Sequence, residues 1–154
     1  MLPACCVQVV PPRSATGSVP SRVTVSGVSA GGYMAGQLHA AHSSIFSGVG
    51  IIAAGPYYCA AGSMQTGLGR CMQGGDLGLE TLSDYLEQQA ASGQVDAVAN
   101  MADDAVWIFH GTQDEIISAD VTSAARRFYE AFLPAGRIDY VDNVDAPHGM
   151  PTLA

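Results

Sequence analysis

The chain has 154 residues, 48% of them hydrophobic, and a formal net charge of −8. That length suits one domain burying roughly 68–70% of its unfolded surface, enough for a core without staples. The composition excludes global disorder, no apolar run reaches the ~18 residues of a spanning helix, and six arginines without a lysine make no basic patch for nucleic acid or an anionic membrane.

Residues 1–20 carry four prolines with Ser14, Gly17 and Ser18 and read as an irregular arm. Met1-Leu2-Pro3-Ala4-Cys5 has neither the charged region nor the long apolar region of a secretory leader. Arg22 to Gly27 is short, β-branched and ends in glycine, the pattern of a strand. Gly31 to His42 places Met34, Leu38 and Ala41 at helical spacing. Phe46 to Ala54 is a continuous apolar run closed by Gly55-Pro56, as in a buried parallel strand. Residues 55–75, rich in glycine and tyrosine, read as a long loop excursion near a site. Asp76 to Ala90 is an amphipathic helix with Leu77, Leu79, Leu82 and Leu86, and Gln94 to Met101 a short helical turn. Ala105 to Gly111 is a second buried strand. Asp120 to Phe132 is a helix capped by Asp120 or Ser118, with Pro134 beyond its end. Arg137 to Val144 alternates as a last strand. The alternation of strand and helix predicts a single α/β domain over 1–154, a mostly parallel sheet flanked by helices.

Gly27-Val28-Ser29-Ala30-Gly31 falls between a strand and a helix, the context of a nucleophile elbow. A sharp turn there would hold Ser29 in a strained conformation, and side chains at 27 and 31 are expected to collide with the neighbouring strand and helix. The helix N-terminus would favour negative charge developing at Ser29, and the Ala30 N–H would serve as an oxyanion donor. The bland alternative is Ser29 as a simple N-cap. A serine nucleophile of this type needs an acid and then a histidine, in that chain order. Asp114 follows a strand and lies at the carboxyl edge, where Ser29 also sits. Glu115 is its fallback. Asp103 and Asp104 belong at the opposite edge, Asp120 suits a cap, and Asp142 and Asp145 suit surface turns. His148, between Pro147 and Gly149 after the last strand, is the candidate base. His39 and His42 read as surface or packing residues, and His110 as structural. Tyr33, Tyr57, Tyr58 and Met150 are candidate substrate contacts, and Trp107 reads as core. Cys59 and Cys71 have eleven residues between them, and a bridge there would be worth about 3 kcal/mol. Cys5-Cys6 with Cys59 and Cys71 do not make a zinc spacing. No metal or organic cofactor is indicated.

Leu2-Pro3-Ala4, the block Val23 to Ala35 (VTVSGVSAGGYMA), Ala54 to Cys59 (AGPYYC), Gly111-Thr112-Gln113-Asp114 and His148 to Thr152 (HGMPT) together resemble poly(3-hydroxybutyrate) depolymerases. The match is to their circularly permuted α/β-hydrolase type. The resemblance implies a catalytic triad of Ser29, Asp114 and His148, a Cys59–Cys71 pair, and extracellular or periplasmic hydrolysis of short-chain hydroxyalkanoate polyester. That family continues past the histidine, with a loop that supplies a second oxyanion donor. The sequence ends at Ala154 with no obvious equivalent, so the α/β-hydrolase is expected to be incomplete or minimal. Two other readings remain. The GxSxGGxxA block also resembles prolyl-oligopeptidase-type or general acyl hydrolases. A truncated hydrolase could instead act as a binding module, with self-association through an open sheet edge.

Overall fold

A computed structural model describes residues 22–152. The expected irregular arm at 1–20, and Cys5 and Cys6 with it, lie outside the described residues. Four strands, β1 (Val23–Val28), β2 (Phe46–Ile52), β3 (Ala105–Gln113) and β4 (Ile138–Pro147), form one sheet in the order β1-β2-β3-β4 with every neighbour parallel. The helices are α1 (Ala30–Ala41), α2 (Met64–Leu68), α3 (Arg70–Gln73), α4 (Leu79–Ala91) and α5 (Ala119–Glu130), with 3₁₀ turns at Val98–Asp103 and Ala135–Arg137. The anticipated excursion at 55–75 is therefore not bare loop, since it folds the short helices α2 and α3.

Helix boundaries follow local chemistry. Ser118 caps α5 by accepting from the Asp120 N–H at 3.3 Å, and Arg127 lies in the last turn, opposite the negative end of the dipole. Gly78 precedes α4 in the left-handed conformation, φ 62°, where a Cβ would be strained. The α1 helix has no side-chain cap hydrogen bond, although a favoured capping residue, Ser29, stands in that position.

A parallel sheet that advances one strand at a time in one direction, with right-handed crossovers, places all its connecting helices on one face. The core shows this arrangement. Val49, Ile51, Val106 and Ile108 of the sheet pack with Ala35 and Ala40 of α1, Leu82 and Leu86 of α4, and Phe128 and Tyr129 of α5. Each large side chain buried this way contributes about 1.5–3 kcal/mol. Small residues on α1 let it approach closely: a Cβ on Gly36 would already touch Ile51 at 3.6 Å.

The other face carries Ile52 and Phe109 with Val28, Trp107 and Val141, and no helix residue joins that cluster among the described residues. Trp107, expected in the core, lies on this face and stacks on Phe109 at 5.7 Å. A concavity of about 760 Å³ also lies there, bordered by Thr24, Ser26, Gly50, Trp107 and Asp139. It is larger than the cavity at Ser29, but neither Ser29, Asp114 nor His148 lines it.

Candidate active site

The turn between β1 and α1 is tightly constrained. Ser29 has φ 56° and ψ −123°, a left-handed backbone that costs energy for a residue with a Cβ. Its N–H donates to the Ile52 carbonyl at 2.9 Å, and its own carbonyl accepts from the Tyr33 N–H at 3.0 Å. Ser29 is thus pinned to β2 on one side and to the first turn of α1 on the other.

The glycines around it have unequal duties. A Cβ on Gly27 would lie 2.2 Å from the Gly31 carbonyl oxygen. A Cβ on Gly32 would lie 2.8 Å from Ala54 Cβ and 3.0 Å from the Ile52 carbonyl oxygen. Gly31, expected to collide as well, has nothing within 4 Å of such an atom. That expectation is corrected: the tight approach of α1 to the sheet is made by Gly27 and Gly32, because residue 31 points away from both strands.

Asp114 follows β3 and sits in a turn closed by its own N–H to the Gly111 carbonyl at 3.0 Å. Its side chain is fully buried. The Oδ1 atom accepts from the N–H groups of Ile116 and Ile117 at 2.9 and 3.0 Å. His148 Nδ1 lies 2.9 and 3.1 Å from the two carboxylate oxygens. A carboxylate only accepts, so Nδ1 carries the proton and Nε2 is left as the free lone pair. Burial works against the charge on Asp114, but the N–H of Ile117, the His148 ring and the N–H of Ile116 together outweigh it and hold the carboxyl below its ordinary range.

Ser29 borders a mostly apolar cavity of about 210 Å³, together with Ala30, Tyr33, Cys71, Met72 and Ile117. Ile117 links the two parts of the site, since its N–H holds Asp114 while the residue lines the Ser29 cavity. Among the described residues the Ser29 hydroxyl makes no hydrogen bond to the His148 ring. The structure therefore joins Asp114 to His148 directly and places Ser29 at the same carboxyl edge of the sheet. The Ala30 N–H belongs to the first helical turn, where N–H groups have no intrahelical acceptor.

The four candidate substrate contacts separate. Tyr33 lines the cavity, and its hydroxyl donates to the Cys71 carbonyl, with burial pushing its pKa up to about 12. Tyr57 is not a cleft wall. It is buried in the core, stacked on Phe128 at 6.1 Å, because the chain turns inward after Pro56. Tyr58 stacks on Tyr85 at 4.0 Å and borders neighbouring grooves rather than the Ser29 cavity. Met150 is 52% exposed and does not line the cavity. Cys59 and Cys71 form a disulfide with a Cα–Cα distance of 6.0 Å. It ties the segment after β2 to α3, and so to the cavity wall. Met72, Ile117 and Gly67 also line that wall, and no motif in the sequence had marked them.

Away from the site, His39 is fully buried on α1. Its Nδ1 lies 3.1 Å from the Tyr129 hydroxyl and its Nε2 3.1 Å from Asp104. His110 is also buried, 3.2 Å from the Thr122 hydroxyl. Among the described residues no three His, Cys, Asp or Glu side chains group to hold a metal ion, and no helix is long and apolar enough to cross a membrane.

No family model matches the chain. It is 40% identical over 134 residues to a poly(3-hydroxybutyrate) depolymerase of Delftia acidovorans, covering 86% of this chain and 27% of that protein. It is 32% identical to a polyhydroxybutyrate depolymerase of Talaromyces funiculosus, over 86% of this chain and 38% of that one. Among solved structures it is similar to the PHB depolymerase from Penicillium funiculosum, with a TM-score of 0.77 and 32% identity, over 86% of this chain and 41% of that chain. It is equally similar, at TM-score 0.77 and 31% identity, to a serine-to-alanine variant of a PHB depolymerase complexed with an R3HB trimer. The chain thus spans well under half the length of each of these relatives. Its sheet and helices are of the α/β-hydrolase type, and over 86% of its length the chain is similar to poly(3-hydroxybutyrate) depolymerases.

Proposed function

We propose that this chain carries the nucleophile, base and orienting acid of a serine esterase that hydrolyses short-chain hydroxyalkanoate polyester. Ser29 is the nucleophile, His148 the base and Asp114 the orienting acid. The observation that carries the reading is the His148 ring held by both oxygens of a buried Asp114, at the edge where Ser29 stands on a strained turn.

The chemistry follows from the proton positions. Asp114 fixes the tautomer of His148 and stabilises the imidazolium. His148 Nε2 takes the Ser29 proton as the oxygen attacks the ester carbonyl, then delivers it to the departing alkoxide. Water, deprotonated by the same nitrogen, releases the acid from the acyl-enzyme. Charge on the tetrahedral oxygen is met by the Ala30 N–H at the positive end of α1, and one such donor is worth about 10²–10³ in kcat. The apolar lining of the Ser29 cavity suits an aliphatic ester. The Cys59–Cys71 disulfide supports an oxidising, extracellular or periplasmic setting.

The test is covalent labelling of the folded protein with a fluorophosphonate, the modified peptide being identified by mass. Label on Ser29, lost in Ser29→Ala, together with turnover of p-nitrophenyl butyrate and polyhydroxybutyrate film but not of peptide amides, is the expected outcome. A folded protein whose Ser29 stays unmodified would refute the assignment.

A further inference from the structure

We infer that Gly67 sets the acyl-size selectivity of the Ser29 site, an inference that rests on the reading of Ser29 as nucleophile. Gly67 lies within α2 and lines the cavity beside Ser29. Its φ is outside the left-handed region, so its backbone conformation does not call for glycine. Packing does not call for it either. The nearest atom to an added Cβ would be Ala60 Cβ at 3.6 Å, an ordinary contact. Helix formation favours alanine over glycine at such a position. What the missing side chain leaves is space in the wall of the cavity. Ala60 lines the same cavity, so a methyl at residue 67 would enter that wall rather than solvent.

The walls facing Gly67 are held in place. Cys71 is tied to Cys59 by the disulfide, and its carbonyl accepts from Tyr33, which follows Ser29 by one helical turn. Added volume at residue 67 therefore subtracts from the space for substrate. At about 210 Å³ the cavity is already below the ~300–1,000 Å³ of a site for a drug-sized ligand, which fits a short group. The group it takes is the acyl chain. His148 must hand its proton to the leaving alkoxide, so the alcohol side lies at His148, and His148 does not line this cavity.

The experiment uses the whole 154-residue chain, with Gly67→Ala and Gly67→Val, a p-nitrophenyl ester series from acetate to octanoate, and thermal melting. Gly67→Ala should melt at or above the parent temperature, because the helix gains and nothing is displaced. Its kcat/KM on acetate should change least, while hexanoate and longer esters fall about 10–200-fold, the usual worth of a methylene in an apolar pocket. The valine variant should lose shorter esters as well. Met72→Ala added to Gly67→Ala should recover the longer ones by reopening the wall. An unchanged acyl-length profile in folded variants overturns the inference and leaves Ser29 as nucleophile intact. A lower melting temperature for Gly67→Ala overturns it too, since the glycine would then serve the fold. A parent chain inert to the smallest fluorophosphonate overturns the nucleophile assignment itself, and this inference with it.

Discussion

The three glycines of the Ser29 turn can be set against one another. Gly27→Ala puts a carbon 2.2 Å from the Gly31 carbonyl oxygen, backbone against backbone, so no side-chain rotation relieves it. The helix must move by about 1 Å to restore contact distance, and a misplacement of that size at a reacting atom costs about 10²-fold in rate. Overpacking of a tight site costs about 1–3 kcal/mol. At roughly 2–4 °C per kcal/mol for a domain of this size, Gly27→Ala should lower the melting temperature by about 2–12 °C. Gly32→Ala should behave similarly, because its Cβ would press on Ala54 and on the Ile52 carbonyl that holds the Ser29 N–H. Gly31→Ala meets nothing within 4 Å and lies inside α1, so it should be neutral or stabilising by less than ~1 kcal/mol. Thermal unfolding followed by circular dichroism reads the stability terms. The rate of fluorophosphonate labelling at Ser29 reads the geometry. If Gly31→Ala loses as much as Gly27→Ala in both assays, the steric account of the elbow is wrong.

Four further outcomes follow from contacts already described. Asp114→Asn keeps an oxygen for the Ile116 and Ile117 N–H groups but presents an amide donor or a neutral acceptor to His148. Folding should survive while kcat falls by about 10⁴, and a loss below tenfold would remove Asp114 from the mechanism. The same variant should alter acid stability. The Asp114 carboxyl is held below its ordinary range, so its contribution is fully present above the unfolded value of about 3.9 and is lost as pH falls through the lower folded value; urea titrations should show a shallower decline below pH ~4 in Asp114→Asn. Tyr129→Phe strips His39 Nδ1 of its buried partner, at a cost of about 1–3 kcal/mol in chemical denaturation, with no change in the labelling rate. Opening the Cys59–Cys71 bridge, by reduction or by paired serine substitution, should cost about 3 kcal/mol and lower the melting temperature by about 6–12 °C.

The sequence was readable where burial or backbone geometry dictates residue type over a short stretch. The apolar run beginning at Ala105 reads as a central strand because it is paired on both edges, with β2 and β4, and Val106, Ile108 and Phe109 are all buried. The turn at Ser29 reads from glycine spacing, and the loops of Asp114 and His148 read from their places after strands. What stayed hidden depends on partners distant in the chain. His39 looks like one more polar residue on an ordinary helix, yet Asp104 lies 65 positions away and Tyr129 lies 90 away. Tyr57 and Tyr58 are adjacent and chemically alike, but the chain turns one into the core against Phe128 and leaves the other to stack on Tyr85. Gly31 and Gly32 differ only in the direction of a hydrogen, and the sequence cannot show which of them faces Ala54.

The strand order explains why so few contacts suffice to bring the candidate residues to one edge. All four strands run in one direction, so each carboxyl end delivers its following segment to the same rim. β1 delivers Ser29, β2 the segment that holds Cys59 and Ala60, β3 Asp114, and β4 His148. Among the described residues the helices pack on one face, and the rim is shaped from that side by α1, α2 and α3 through Tyr33, Gly67 and Cys71. Reach across the rim is then limited by the segments rather than by the sheet. The β3 and β4 ends are neighbours, and the Gly111 position allows close approach: a Cβ there would lie 2.1 Å from the Ala146 carbonyl oxygen. This contact brings the chain after β4 against the Asp114 turn, so His148 meets its acid without a long loop. Ser29 has no such short route. Ile117 is the link between the two parts of the candidate site, since it borders the Ser29 cavity while its N–H holds Asp114.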